Sequence, residues 1–498
     1  MRIDMVSKFL GFLTIVICAW MLCPFAYSVA TGGDDVIPFA KALVAGTSAA
    51  AVLLLLGRKA VLSKMGTREA LAMVALSWVA ASAVRALPYW LHGSTPTYAD
   101  AFFESMSGYT TTGATILVDI DSVPRGLILW RGLTHWLGGM GIIVLTLSIM
   151  PLTGIGGFQL FQAEVPGMTA ERITPRIRQT AAILWLIYLA LTLAQTLLLM
   201  LCGMGAYDAI THSMGTISTG GFSPHSASIR YFDSAYVDWI VIFFMFVSGA
   251  NFTLHYSAIK GRTLRSFFHD PEFRFYLVTA FAFSILVSLG LYYKASLTFA
   301  ESLRFGFFQV ISFMTTTGFV SMDYDVWPFF CKSILFLCLF LGACAGSTSG
   351  GIKQIRLLVL VRHANRQIRR ILSPRAIIPL RVGDKSVDAR VVSSCLAFLG
   401  LYTIVYVIGV FLIALYEPDL FTAISAVATT LGNVGPAFGS LGATETFAAQ
   451  ATGAKWIYAF LMLCGRLELY SVLVLFTRIY WSGDAASYRR ATGGTASG

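Results

Sequence analysis

The stretch Tyr98–Thr115, YADAFFESMSGYTTTGAT, sets a short helical pattern against a Thr-Thr-Thr-Gly turn. At 1.5 Å per residue, a helix over Tyr98–Tyr109 would reach about 18 Å. The hydrocarbon layer of a bilayer is about 30 Å thick. The pattern therefore predicts a half-helix that enters an apolar layer and turns back. Asp100 stands near its start, where the helix dipole favours an anion. The same unit returns three times, at intervals of roughly a hundred residues. Tyr207–Ile217, Ala300–Met314 and Asp419–Thr430 are equally short, with Asp208, Glu301 and Asp419 near their starts. Their loops read Ser218-Thr219-Gly220-Gly221-Phe222, Thr315-Thr316-Thr317-Gly318-Phe319 and Gly432-Asn433-Val434-Gly435-Pro436.

The rest of the chain supplies the apolar surroundings. Of 498 residues, 56% are hydrophobic and 12% charged, where soluble proteins run at about a quarter charged. With a mean hydropathy of +0.73, this excludes an ordinary soluble enzyme, disorder, collagen and a disulfide scaffold. Runs long enough to span lie near Phe9–Ala30, Val36–Leu56, Glu69–Leu91, Leu127–Met150, Ala181–Cys202, Val237–Ile259, Phe273–Tyr293, Pro328–Val361, Val391–Tyr416 and Trp456–Trp481. The expected fold is an all-α polytopic membrane protein of about ten transmembrane helices and four re-entrant half-helices. After two leading spans (residues 1–66), pseudo-symmetric helix–pore-loop–helix repeats occupy 67–150, 151–260, 261–372 and 373–482, before a tail at 483–498. The common direction of the repeats implies an axis along the membrane normal.

Charge orients the chain. Arg58, Lys59, Lys64 and Arg68 fill one loop, Lys260, Arg262 and Arg265 another, and the Lys353–Arg390 connection is densely basic. Asp34, Asp35, Asp119, Asp121, Asp323, Asp325 and Glu417 lie on the opposite side. The positive-inside rule then places both termini in the cytoplasm. The net charge of +11 reads as topology, not as nucleic-acid binding. Lys8, the apolar run and Ser28-Val29-Ala30 imitate a cleavable signal peptide. That run is longer than a usual signal core and a second span follows directly, so retention is expected. The eight Cys and seven His show no metal-ligand spacing. A polytopic enzyme would need a nucleophile–base or metal constellation. No paired carboxylates, His cluster or Gly-x-Ser-x-Gly elbow appears, and the chain is read as no enzyme.

Broken backbone at membrane depth is tolerated where it is buried or lines a cavity. Four such breaks around one axis suggest a lined cavity. Potassium filters replace a hydration shell with backbone carbonyls, and glycine supplies the dihedrals that aim them. Four tight turns without an ion are the alternative reading. A second interruption, Gly342-Ala343-Cys344-Ala345-Gly346-Ser347-Thr348-Ser349-Gly350-Gly351, breaks an apolar span with poor helix formers. It reads either as an unwound segment in the cavity or as a Gly/Ser helix contact. Arg466, beside Gly465 and Glu468 in the last span, is either an electrostatic barrier in the cavity or half of an Arg–Glu pair. Arg85, Arg131 and Glu104 are expected to pair structurally.

The motifs TTTGAT (Thr110–Thr115), HWLGGMGI (His135–Ile142), ISTGGFS (Ile217–Ser223), TTTGF (Thr315–Phe319), GSTSGGIK (Gly346–Lys353) and LGNVGP (Leu431–Pro436) span nearly the whole chain. In these the chain resembles the Trk/Ktr/HKT family of potassium transporters, most of all its TrkH-type membrane subunits. The resemblance implies a single chain imitating a tetrameric potassium channel, with K⁺ as the transported ion and no organic cofactor. It places the filter at Thr111, Thr112 and Gly113; Ser218, Thr219 and Gly220; Thr316, Thr317 and Gly318; and Asn433, Val434 and Gly435. It makes Gly346, Ser347, Thr348, Ser349, Gly350 and Gly351 an intramembrane gating loop, with Arg466 beside it. The gate is expected well below the filter, making no contact with the selecting carbonyls. The resemblance further implies a homodimer among lipids of the bacterial inner membrane, and a TrkA-like cytoplasmic subunit that binds nucleotide. The Lys353–Arg390 connection and the Arg262–Phe268 loop are the expected docking faces, although solvated topology charges read the same. Coupling of transport to H⁺ or Na⁺ stays open, and an ion-coupled secondary carrier of potassium or another small solute is the alternative reading.

Overall fold

The computed structural model describes residues 3–60, 67–141, 177–376, 378–383 and 385–482. Two apolar helices, α1 (Ile3–Thr31) and α2 (Val36–Leu56), form a leading hairpin. Four units follow, each a long helix, a short one, a loop and a second long element. The first holds α3 (Thr67–His92), α4 (Tyr98–Tyr109) and α5 (Arg125–Gly139). The second holds α6 (Ile177–Leu201), α7 (Ala206–Ile217) and the bent pair α8 (Ala235–Ser248) and α9 (Phe252–Gly261). A short α10 (Arg265–His269) leads into the third, with α11 (Pro271–Lys294), α12 (Phe299–Met314), α13 (Phe329–Cys338) and α14 (Gln354–Leu372). A two-residue antiparallel ribbon, Arg381↔Ser386 and Val382↔Lys385, precedes the fourth. That unit holds α15 (Ala389–Ile413), α16 (Leu420–Gly432), α17 (Thr452–Arg466) and α18 (Tyr470–Leu473).

Among the described residues, six helices are long and apolar enough to cross a bilayer, and eight if each bent pair counts as one span. The remaining two expected spans differ for separate reasons. Pro328–Val361 is interrupted by the Gly342–Lys353 loop, and part of Leu127–Met150 lies outside the described residues. Two further expected spans are bent rather than straight. One turns by 96° after Ser248 and the other by 115° after Arg466. Asn251 explains the first bend, because its side chain caps α9 by accepting from the Thr253 N–H at 2.8 Å. At the second, Glu468 and Leu469 both take left-handed φ angles, 54° and 63°, which ends any helix there.

The short helices α4, α7, α12 and α16 form the centre. Each packs on the long helix before it, and α4, α7 and α12 also pack on the second long element of a neighbouring unit. In the fourth case, Leu335 of α13 and Leu339 just after it share a buried cluster with Ala428 of α16. The four units thus close into a ring around the C-terminal ends of the short helices.

Candidate ion pathway

The short helices begin where the sequence places acidic residues. Thr97 and Asp100 form a capping box on α4, and Thr298 and Glu301 form one on α12. Asp419 caps α16 by accepting from the Thr422 N–H at 2.8 Å. Asp208 lies in the first turn of α7 without capping it. Such caps satisfy N–H groups that a helix start otherwise leaves unpaired. The helices then end together, each with the same turn. The N–H of Thr112 donates to Ser107 O at 2.9 Å, Gly220 to Gly215 at 2.9 Å, Thr317 to Ser312 at 2.8 Å and Val434 to Thr429 at 2.9 Å.

Backbone dihedrals mark the same register. Thr111, Thr219, Thr316 and Asn433 have φ of 53°, 54°, 58° and 56°. Two residues later Gly113, Gly221, Gly318 and Gly435 again have positive φ. A left-handed β-branched residue is an outlier, and three at matched positions mark a constrained site. By this register the second loop runs Thr219-Gly220-Gly221, one residue later than the expected Ser218-Thr219-Gly220. Ser218 corresponds instead to Thr110, Thr315 and Gly432.

These glycines are where the four loops meet. A Cβ on Gly113 would overlap the Gly220 carbonyl oxygen, and one on Gly221 that of Thr317. On Gly318 it would overlap the Val434 oxygen, and on Gly435 it would stand 2.5 Å from that of Thr112. The order runs from first loop to second, third, fourth and back to first. All four glycines line one cavity of about 100 Å³ at the mouth of the ring. Side chains lock the loops from behind. Thr110 and Thr112 share a hydroxyl hydrogen bond of 2.8 Å, as do Thr315 and Thr317. Asn433 Nδ2 donates to Thr112 Oγ1 at 3.0 Å and to Met462 O at 2.9 Å, joining the fourth loop to the first.

The segments beyond the glycines repeat this circular order. Asp121 accepts from His225 Nδ1 at 2.8 Å and from the Ser226 N–H at 3.0 Å. Burial pushes the Asp121 carboxyl up, but the bonds from Ser226 and His225 outweigh it and hold the group below its ordinary value. The Val320 N–H donates to Ser228 Oγ at 3.2 Å, Tyr324 OH to Ala437 O at 2.6 Å and the Phe447 N–H to Thr115 O at 2.8 Å.

Below the ring lies the Gly342–Lys353 loop. Gly342 N–H donates to Ile352 O at 2.9 Å and Ile352 N–H to Phe340 O at 3.0 Å, so the loop closes on itself. It is not set apart from the ring loops, as the sequence suggested. Gly350 N–H donates to Thr316 Oγ1 at 2.7 Å, and Thr348 Oγ1 to Ile217 O at 3.1 Å. A span unwinding at Gly342 needs few residues to climb back against the ring, which the expectation overlooked. Cys344 N–H donates to Gly249 O and Phe252 N–H to Gly346 O, at 3.0 and 3.1 Å, across the α8–α9 bend. The Glu272 Oε1 accepts from both Ala345 and Ile355 N–H groups, at 2.7 and 3.0 Å. Arg466 holds the loop from the other side. Its Nη1 donates to Thr348 O at 2.6 Å, and Nη2 to Gly138 O and Gly139 O at 2.8 and 3.0 Å. Glu468 pairs with Arg356 of α14.

Of the three residues expected to pair structurally, Arg131 and Glu104 do so, at 2.6 Å and almost fully buried. Arg85 instead has no ion-pair partner among the described residues and lies over the Tyr109 ring at 4.3 Å. Sequence reasoning missed His135, which is fully buried against Phe222 with ring centroids 3.9 Å apart, and which stands where a Cβ on Gly220 would sit. Its place in HWLGGMGI was the available signal. Glu272 carried none, as a lone carboxylate at a helix start. Among the described residues no group of three or more His, Cys, Asp or Glu is placed to hold a metal ion.

Residues 38–488 match the profile of the TrkH family, described as cation transport protein. The Trk system potassium uptake protein TrkH of Escherichia coli K12 is 38% identical over 489 residues, which span 97% of this chain and 100% of that one. The Trk system potassium uptake protein TrkG of the same strain is 36% identical over 420 residues, 84% of this chain and 86% of that one. The crystal structure of the potassium transporter TrkH from Vibrio parahaemolyticus matches with a TM-score of 0.86 at 34% identity, covering 97% of this chain and 100% of that one. The chain is an all-α polytopic membrane protein.

Proposed function

Because the chain belongs to the TrkH family of cation transport proteins, we propose that it takes up potassium across the bacterial inner membrane. The observation that carries this reading is the closed ring of loops, each glycine against the next loop's carbonyl oxygen. A potassium ion entering at the mouth sheds water and is held by backbone oxygens of Thr111–Gly113, Ser218–Gly221, Thr316–Gly318 and Asn433–Gly435. The C-terminal ends of α4, α7, α12 and α16 point their negative dipole ends at the same place and favour a cation.

Below the filter, residues Gly346 to Gly351 act as the gate. Their hydrogen bonds to Thr316 and Ile217, beside the ring loops, support this reading. Arg466 latches the gate through Thr348 and adds a positive charge to the cation path, where repulsion is poorly screened. The repeats divide at 67–150, 151–260, 261–372 and 373–482, and both termini face the cytoplasm. On that face α14 projects directly from the gate, with Arg362, Arg369 and Arg370 exposed. A TrkA-like nucleotide-binding subunit docks there and moves the gate, and two copies of the chain assemble as a homodimer.

Uptake of ⁸⁶Rb⁺ by liposomes holding the purified protein tests the proposal. Saturable uptake, displaced by K⁺ far better than by Na⁺, is expected. Its rate should not depend on a proton or sodium gradient. No uptake with the partner subunit present would refute the transport reading, and strict dependence on a gradient would establish a coupled carrier instead.

A further inference from the structure

Seven residues before its left-handed position, each short helix presents a residue to the chain leaving the ring. These are Glu104, His212, Gln309 and Ala426. His212 Nε2 lies 3.1 Å from Ser223 Oγ, and Gln309 Nε2 donates to Phe319 O at 3.3 Å. Ala426 has no polar atom, and its neighbour Ser425 accepts from the Phe438 N–H at 3.1 Å instead. Glu104 is the charged member. Its carboxylate accepts from Thr115 Oγ1 at 3.0 Å and from the Ile116 N–H at 2.9 Å. Arg131 of α5 then donates through Nε to Glu104 at 2.6 Å and through Nη1 to Ser223 O at 2.9 Å. Its guanidinium carbon stands 3.5 Å from the Phe222 ring centroid. Through Arg131, the Glu104 carboxylate is tied to the Ser223 carbonyl of the neighbouring repeat.

We propose that the Glu104–Arg131 pair is a specificity-determining strut that sets the spacing of the first and second filter loops. The proposal rests on the filter reading given above. The pair grips both exit segments within a few residues of Gly113 and Gly221, and its planar, bidentate-capable cation fixes direction as well as distance. A buried ion pair contributes little net stability compared with apolar residues of the same volume. Its place here is therefore better explained by the geometry it imposes. K⁺ and Na⁺ differ in radius by a fraction of an ångström, so a small splay between two of the four loops is enough to weaken discrimination. Arg131 also borders the cavity at the ring mouth, and the pair acts through the backbone it positions.

The test uses the full-length protein in liposomes, with K⁺ and Na⁺ competing against ⁸⁶Rb⁺ uptake and flux normalised to folded protein. Glu104→Gln and Arg131→Lys should each lower the K⁺-over-Na⁺ ratio by about tenfold, the scale of one lost hydrogen bond to a charged group. Thr115→Val, which removes the hydroxyl facing both Glu104 carboxylate oxygens but leaves Arg131 and the Ile116 N–H in place, should lower it less. The double variant Glu104→Gln/Arg131→Met leaves no unpaired charge, so it should fold like the parent and still select poorly. Should the single variants fail to fold, the double variant and Thr115→Val decide the matter. Gly113→Ser serves as the reference. If it shifts the ratio while the double variant and Thr115→Val keep the parent value, the strut is overturned and the filter stands. If Gly113→Ser leaves the ratio unchanged, the filter reading falls and the strut falls with it.

Discussion

Thr316 shows how much one residue carries at this site. Its backbone sits at φ 58°, where a β-branched side chain is strained by roughly 1–3 kcal/mol. Its hydroxyl also accepts from the Gly350 N–H, so the same residue shapes the ring and holds the loop below it. Thr316→Val keeps the volume and removes the acceptor, leaving a buried N–H unpaired at a cost of about 1–3 kcal/mol. The expected result is a several-fold rise in basal flux per folded protein. Parent-level flux with an unchanged thermal midpoint would show that this bond does not hold the gate. Asn433 is a second such residue. Asparagine tolerates the left-handed region better than threonine does, and its amide ties the fourth loop to the first. Asn433→Ala should therefore lower both thermal stability and K⁺ selection, which thermal unfolding and ion competition measure together. An intact ratio in this variant would count against the ring as the selecting element.

At the scale of elements, the four short helices were legible from sequence because a helix too short to span, followed by Thr and Gly, has few other uses in an apolar chain. The register of the second loop was not legible. Ser218-Thr219-Gly220-Gly221 offers two glycines, and only the backbone shows that Gly221 takes the left-handed φ. The bend after Arg466 was hidden for the opposite reason, since two non-glycine residues, Glu468 and Leu469, make it without any composition signal. Behind the ring, Glu104 was marked for pairing by its charge, whereas His212, Gln309 and Ser425 escaped because they share no residue type. The Gly342–Lys353 loop was visible as a break, while its contact with Thr316 and Ile217 was not. That contact changes what its removal should do. Deleting Gly346–Gly350 is expected to raise basal flux and also to alter K⁺ selection, because the filter loops lose partners. Arg466→Ala, which removes three bonds to backbone carbonyls, should raise flux in the same direction. A well-folded deletion variant that leaks no more than the parent would contradict the gate.

For the whole molecule, the ring explains why four units of unlike sequence must stay in one circular order. Contacts between neighbouring units recur at three levels: close approach at the loop glycines, and hydrogen bonds from the side chains behind them and between the segments at the mouth. The base of the molecule carries the regulatory reading. In the proposed reading, α14 starts where the gate loop ends, and a partner pulling on its exposed arginines would act on the gate through one helix. Arg362→Glu, Arg369→Glu and Arg370→Glu together should abolish co-elution with a TrkA-type subunit and leave basal flux unchanged. Surface pairing of this kind weakens with salt, so co-elution of the parent should also fall as ionic strength rises. The central claim is that the four loops form one cation site, and rubidium can be located there directly. In crystals grown in rubidium salt, an anomalous difference map should show peaks on the ring axis, beside the carbonyl oxygens of Thr112, Gly220, Thr317 and Val434. Rubidium bound elsewhere, with nothing on that axis, would contradict the account.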